Sequence, residues 1–485
     1  MRKAGILLPV ASLPSNYGIG DFGVYAYEFV DHIKEMGMKI WQILPLNPLG
    51  YGNSPYQPYS SFAGDELYIS LEKLKEEGLL AELPPHFRQE ESTIDYESVR
   101  HYKEASLKEA FKNFKPDEEY EQFVQMDWVR NYCVFITLKK ANNLKCWNEW
   151  KEEHQTWIVD KKCDLTPFED SILYEQFIQY MFYKQWKALK NYANENGIAI
   201  MGDIPFYVGL DSFDVWANQQ CFLMDKSRPT FIAGVPPDYF SEFGQRWGNP
   251  IYNWDYLKET NYQFWIDRVG YNRNLYDMIR IDHFRAFDTF WKIPASCETA
   301  VEGEWIEAPG YEVLDTIYKT MPDIHLVAED LGDMRPEVFQ LRDHYQLKGM
   351  KIFQFAMDLA EGNNYFQDRE NMIIYTGTHD NQTMMGWFTS QDPAYQEHIK
   401  ENMEKHGYTQ ETLSDRFLAH VFHSIAEWAI VPVQDVLGLL DEGRLNTPGT
   451  VGSPNWEWKM VSFAPFIEKK QDVYRMLEET NRIEK

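Results

Sequence analysis

Cysteine is scarce in this 485-residue chain. There are five, Cys133, Cys146, Cys163, Cys221 and Cys297, an odd number with no C-x-x-C pair. That argues against a disulfide framework or a zinc site and fits unpaired thiols in a reducing compartment. Positive charge is also short, with 47 Lys and Arg against 75 Asp and Glu and a net charge of -28. Such an excess repels phosphate backbones and anionic lipid, so neither nucleic acid nor a membrane surface is expected as a partner. A neutral substrate is unaffected by it. Long apolar runs are missing as well. Met1-Arg2-Lys3 starts like a signal peptide, but the apolar stretch behind it ends at Pro9. No run approaches the roughly 20 residues of a membrane span, so a soluble, cytoplasmic protein is expected.

Short apolar runs are plentiful. Eight of them, at 5–10, 40–46, 198–204, 278–281, 325–328, 350–355, 373–376 and 429–433, have the Ile, Val, Leu or Phe content of strands buried on both faces. Amphipathic stretches such as 25–36 and 336–344 separate them. Repeated strand-then-helix units imply a parallel sheet, and eight imply a closed (β/α)8 barrel spanning 1–485 as one catalytic domain; an open doubly wound sheet is the alternative. The spacing is uneven. Helical periodicity, with Leu173, Phe177 and Met181 and then Phe182, Trp186, Leu189 and Ala193, marks a helical insertion over 65–190 after the second strand. A second insertion over 210–260, after the third strand, is rich in aromatics, Gly and Pro and reads as loop.

Gly18-Ile-Gly20-Asp-Phe-Gly23 satisfies the dinucleotide pattern G-x-G-x-x-G. The mechanism behind that pattern needs a strand ending at the first glycine. Seven residues, Ala11 to Tyr17, intervene here before Gly18, and the next strand ends without a carboxylate for a ribose. The match is rejected.

Three carboxylate clusters follow the fourth, fifth and seventh candidate strands: Arg280-Ile-Asp282-His283-Phe-Arg285, Ala328-Glu329-Asp330, and His379-Asp380-Asn381. In a barrel that end holds the active site, so three strands deliver acids to one place. Paired carboxylates suit glycosidic bond cleavage, one ionised and attacking, the other protonated and donating. Arg280 and Asp282, two apart on a strand, share a face, and the guanidinium favours an ionised Asp282. Glu329 follows an apolar run, where burial raises its pKa as a general acid requires. Asp380 is the candidate for bracing the developing charge. A buried structural Arg280–Asp282 pair and core histidines are the bland alternatives, and a metal site involving His283 and His379 finds no support in the spacing. From 239 to 256 stand Tyr239, Phe240, Phe243, Trp247, Tyr252, Trp254 and Tyr256, without helical period. An aromatic loop over the cleft, able to stack sugar rings and exclude water, is expected there.

In order along nearly the whole chain these motifs resemble the amylomaltases, the 4-α-glucanotransferases of glycoside hydrolase family 77. The matching stretches include Trp41-Gln-Ile-Leu-Pro45, Ser54-Pro-Tyr56, Gly202-Asp203-Ile-Pro205, Gly234-Val-Pro-Pro-Asp-Tyr-Phe240, Gly244-Gln-Arg-Trp-Gly-Asn-Pro250, Arg280-Ile-Asp-His-Phe-Arg285 and Pro432-Val-Gln-Asp435. The resemblance implies a barrel without a C-terminal β-sandwich. It implies Asp282 as nucleophile, Glu329 as acid/base and Asp380 as transition-state stabiliser. Sugar contacts carry over to Tyr56, Asp203, Gln245, Trp247, Arg280, His379 and Asn446, with Tyr239 and Phe240 on the aromatic loop. It further implies transfer of α-1,4-glucan segments to a sugar acceptor, with no metal and no cofactor. Departures fall at Gln382, Thr383-Met384 and Asp358-Leu359, and at Ala286. They bear on acceptor preference and product size. A hydrolase of α-amylase type and a non-catalytic glucan-binding protein are the alternatives; all three carboxylates being present argues against the second.

Overall fold

The computed structural model describes residues 2–237, 241–332, 334–356 and 368–483. All eight apolar runs form strands: β1 (Lys3–Leu7), β2 (Ile40–Gln42), β3 (Ala199–Pro205), β4 (Met278–Asp282), β5 (Leu326–Ala328), β6 (Gly349–Ile352), β7 (Met372–Tyr375) and β8 (Trp428–Pro432). They pair in parallel in the order β5-β4-β3-β2-β1-β8-β7-β6. A parallel bridge between Val327 and Lys348 joins β5 to β6, and the Ala328 N–H donates to the Lys348 carbonyl at 2.9 Å. The sheet is therefore a closed barrel, and the open alternative is set aside.

Strand limits shift for identifiable reasons. β1 stops at Leu7 because Pro9 has no N–H to continue a ladder. The sixth apolar run stays apolar past Ile352 but turns helical over Phe353–Ala356, which hydrophobicity alone cannot tell from a buried strand. Helices occupy Val24–Glu35 and Pro336–His344, within a residue of the periodic stretches.

Between β2 and β3 the chain is helical, with long helices at Tyr96–Asn113, Asp127–Ala141 and Glu169–Glu195. Asp95 caps the first of these, its carboxylate accepting from the Ser98 N–H at 3.1 Å. The third buries Phe177, Met181, Trp186 and Leu189. Leu173, on the same periodic row, is instead 39 % exposed, and its neighbour Ile172 is buried in its place.

After β3 the chain also forms strands that composition did not reveal. Phe231–Val235 and Gln245–Pro250 join Thr289–Pro294 and Glu304–Glu307, from beyond β4, in a four-stranded antiparallel sheet. The strands are short and interrupted by Gly and Pro, so no alternation marks them. The C-terminal helix Ala464–Glu479 packs on Val24–Glu35, with Phe29 and Phe466 ring centres 5.6 Å apart. No β-sandwich follows the barrel among the described residues.

Two glycines are dictated by close packing. A Cβ on Gly20 would lie 1.9 Å from the Val10 carbonyl oxygen, which explains that glycine without any nucleotide. A Cβ on Gly202 would lie 2.2 Å from the Tyr276 ring. Gly202→Ala is expected to cost about 2 kcal/mol through overpacking. The check is a thermal melt, and an unchanged midpoint would contradict this account.

Candidate active site

The C-terminal ends of β3, β4, β5 and β7 bring four carboxylates to one mouth of the barrel. Asp203 and Asp282 lie in β3 and β4, where Asp203 pairs in register with Arg280 and Pro205 with Asp282. Arg280 is the hub. Its Nη1 donates to Asp203 Oδ2 at 2.7 Å, and its Nη2 lies 3.0 Å from Asp282 Oδ1. Asp203 also accepts from the Tyr56 hydroxyl at 2.8 Å, and its side chain has no exposed surface. It forms the floor beneath Arg280. Asp282 keeps 28 % of its side chain open.

Glu329 follows β5 directly, one residue past the register pair Ile281–Ala328, so it stands beside Asp282 on the neighbouring strand. Its Oε2 accepts from the His283 N–H at 2.8 Å and its Oε1 from the Leu331 N–H at 2.9 Å. His283 reaches this position with φ of 55°, a left-handed conformation that a histidine pays about 1 kcal/mol or more to hold. That strain turns the amide after Asp282 toward Glu329.

The environments of Glu329, Asp282 and Asp380 differ. Burial raises Glu329 to about 7; Arg280 opposes this and the negative Asp282 adds to it. Burial also raises Asp282, to about 6, against the pull of Arg280 and with help from Asp203 and Asp380. Arg280 therefore does not keep Asp282 at an ordinary carboxylate value; what sets Asp282 apart from Glu329 is its 3.0 Å ion pair with that guanidinium. Burial pushes Asp380 upward too, yet His379 and Asn446 outweigh it and hold Asp380 well below the usual range. The contacts are His379 Nε2 to Asp380 Oδ2 at 3.4 Å and Asn446 Nδ2 donating to Oδ1 at 2.7 Å. Asp380 in turn raises His379 despite its burial.

Rings flank the carboxylates. Tyr56 stacks on His379 with centres 5.1 Å apart and 15° between planes. On the other flank Trp247 meets His283 edge-on at 4.9 Å, and its Nε1 donates to Gln245 Oε1 at 3.1 Å. The structure thus gathers Tyr56, Asp203, Gln245, Trp247, Arg280, His379 and Asn446 around the three acids. Tyr239 and Phe240 lie outside the described residues, as does the Asp358-Leu359 departure. Gln382 donates to Asp441 Oδ2 at 2.7 Å, and Thr383 caps Met384–Ser390 by accepting from the Gly386 N–H at 3.0 Å.

Several members of the site had no signal in the sequence. Trp456 lies 5.8 Å from Tyr56 and 5.9 Å from His379, ring centre to ring centre, completing a three-ring wall. Its carbonyl accepts from the Tyr96 hydroxyl at 2.6 Å, tying the wall to the helical insertion. Arg444 donates to the Asp380 carbonyl at 3.2 Å and to the Asn446 carbonyl at 2.8 Å. Gln57 donates to Asn249 at 3.1 Å, linking the loop after β2 to the antiparallel sheet. Arg444-Leu-Asn446 and Asn455-Trp456 lie in a C-terminal segment with no motif that chemistry alone would single out.

The 4-alpha-glucanotransferase family model matches residues 8–463. A 4-alpha-glucanotransferase of Thermus thermophilus is 40 % identical over 502 aligned positions, covering 99 % of each chain. The chloroplastic/amyloplastic 4-alpha-glucanotransferase of Solanum tuberosum is 36 % identical, covering 96 % of this chain and 83 % of its own. Among solved structures, the amylomaltase of Streptococcus agalactiae in complex with acarbose superposes with a TM-score of 0.93 at 34 % identity, covering all of both chains. The amylomaltase of Corynebacterium glutamicum, at 17 % identity and a TM-score of 0.80 over 99 % of this chain and 75 % of its own, shares the fold.

Proposed function

The chain belongs to the 4-alpha-glucanotransferase family and is an enzyme of that activity; we propose that it moves α-1,4-glucan segments between maltooligosaccharides, starch or glycogen and a glucose or maltodextrin acceptor through Asp282, Glu329 and Asp380. Asp282 attacks the anomeric carbon while Glu329 gives its proton to the glycosidic oxygen, so that the reducing-end fragment departs as a free sugar. The glycan is left on the Asp282 carboxylate as a covalent ester. The 4-hydroxyl of the acceptor then gives its proton to Glu329 and bonds to the anomeric carbon, which releases Asp282. Asp380, kept ionised by His379 and Asn446, stabilises the positive charge that develops in both steps.

The single observation that carries this reading is the unequal treatment of neighbouring acids. Both are raised by burial, but Asp282 is ion-paired to Arg280 and open to the cleft. Glu329 has no such direct ion pair among the described residues and is raised further by the negative Asp282, against the pull of Arg280 and two backbone amides. Tyr56, Asp203, Arg280, His379 and Asn446 are assigned to the donor sugar and its support and Gln245 and Trp247 to the acceptor side, while Tyr239 and Phe240 are taken as sugar contacts from the family resemblance alone. The ring on the acceptor side favours a sugar hydroxyl over water as the second nucleophile. A hydrolase of α-amylase type would share the first step alone. The cytoplasm is the proposed location, supported by five cysteines of which none is bonded to another. No helix among the described residues is long and apolar enough to cross a membrane.

Maltotriose supplied alone tests the activity. Disproportionation is expected to yield glucose and longer oligosaccharides with the number of reducing ends constant. A steady rise in reducing ends would assign the protein to hydrolysis.

A further inference from the structure

Trp305 is the most exposed of the chain's 16 tryptophans, with 42 % of its surface open. Its surroundings connect it to the carboxylates. Arg285 is three residues past Asp282, so its Cα lies within about 11 Å of the aspartate's, on the short turn of helix Phe284–Phe287. Its guanidinium carbon sits 4.3 Å from the Trp305 ring centre. Trp305 leans on Trp291 at 5.3 Å and 63°, and the Trp291 Nε1 is anchored on the Ala300 carbonyl at 2.9 Å.

The antiparallel sheet sets this arrangement. One row of cross-strand partners runs from Arg246 to Gly234 to Trp291 to Trp305. Trp247, whose ring meets His283, packs on the main core, whereas Trp291 packs on the separate cluster of Ile232, Ile293 and Ala300, so the row is tied to the cleft at Trp305, which Arg285 joins to the turn after β4. Arg285 stands two residues past His283, so Trp305 is held on the flank where the His283 N–H donates to Glu329. The opposite flank is taken by Tyr56, His379 and Trp456 around Asp380. Glu329 protonates the oxygen that departs with the leaving sugar, and an acceptor enters by the same side. A solvent-facing indole braced by a guanidinium provides an apolar surface on which the C–H groups of a pyranose can pack.

Resting on the glucan-transfer reading above, we propose that Trp305, with Arg285, forms an outer subsite for α-1,4-glucan on the acceptor side, a few sugar units from Asp282. Long acceptors reach it and glucose does not. The site thereby favours elongation of chains already several units long.

The test uses a glycosyl fluoride donor and labelled acceptors from glucose to maltohexaose, with wild type, Trp305→Ala and Trp305→Tyr. In Trp305→Ala the KM for maltohexaose relative to that for glucose is expected to rise about tenfold, the loss of one sugar–ring contact worth roughly 1.4 kcal/mol. Trp305→Tyr, which keeps a ring, is expected to recover most of the wild-type ratio. An unchanged ratio in Trp305→Ala, or a fall in rate equal for every acceptor length, would overturn the proposal. Transfer to glucose by the wild type in the same series judges the glucan-transfer reading separately.

Discussion

Asp282→Asn is expected to lower transfer from maltotriose by at least about 10⁴-fold, a loss near 5.5 kcal/mol of transition-state stabilisation. The side chain keeps its size and one oxygen for Arg280, so the fold should persist. What disappears is the charge that attacks the anomeric carbon and the ester that stores the glycan between the two half-reactions. Arg280 remains held by Asp203 at 2.7 Å, so the cation is not left unpaired in the barrel mouth. The variant should melt within a few degrees of wild type and still bind maltooligosaccharide, which calorimetry can measure. It should also fail with a glycosyl fluoride, because no leaving group compensates for a missing nucleophile. Near-full activity with either donor would remove Asp282 from the role proposed here.

The strand-end acids were legible in the sequence because buried parallel strands are nearly continuous apolar runs, and a charged residue at the end of such a run is conspicuous. Arg280 and Asp282 follow from the two-residue period of a strand, and their 3.0 Å contact agrees with it. The direction of the Asp282 shift was not legible. It depends on Asp203 and Asp380, which arrive from β3 and from beyond β7, and on burial that only closure of the barrel creates. Local sequence showed one guanidinium and suggested a depressed value. The assembled site adds two carboxylates and removes water.

The antiparallel sheet leaves no local signature in the sequence for a related reason. Its strands come from two segments separated by β4 and gain their regularity from pairing with each other, not from alternation within either one. Trp456 and Arg444 lie in a stretch without periodicity, and only the fold reveals that this stretch crosses the mouth beside Asp380.

Glu329→Gln is expected to separate the two half-reactions. With maltotriose as donor, protonation of the departing oxygen is essential, and the rate should fall about 10³-fold or more. With a glycosyl fluoride the leaving group needs no proton, so the glycosyl-enzyme should form with a far smaller loss. The second step then stalls, since no base remains to take the proton from the acceptor hydroxyl. The expected record is a burst of fluoride equal to the enzyme concentration, followed by slow turnover. Azide, which carries no proton to remove, should restore turnover and yield the α-glycosyl azide, the configuration that two inversions at one carbon demand. The pH dependence supplies an independent reading. Glu329 must be protonated to donate, so kcat/KM of the wild type should fall as pH rises through about 7. Asp282 must be ionised to attack, so it should also fall as pH drops below about 6. In Glu329→Gln assayed with the fluoride, the alkaline limb should vanish and the acid limb remain. Equal losses with both donors, or an alkaline limb that survives the substitution, would show that the proton comes from another group.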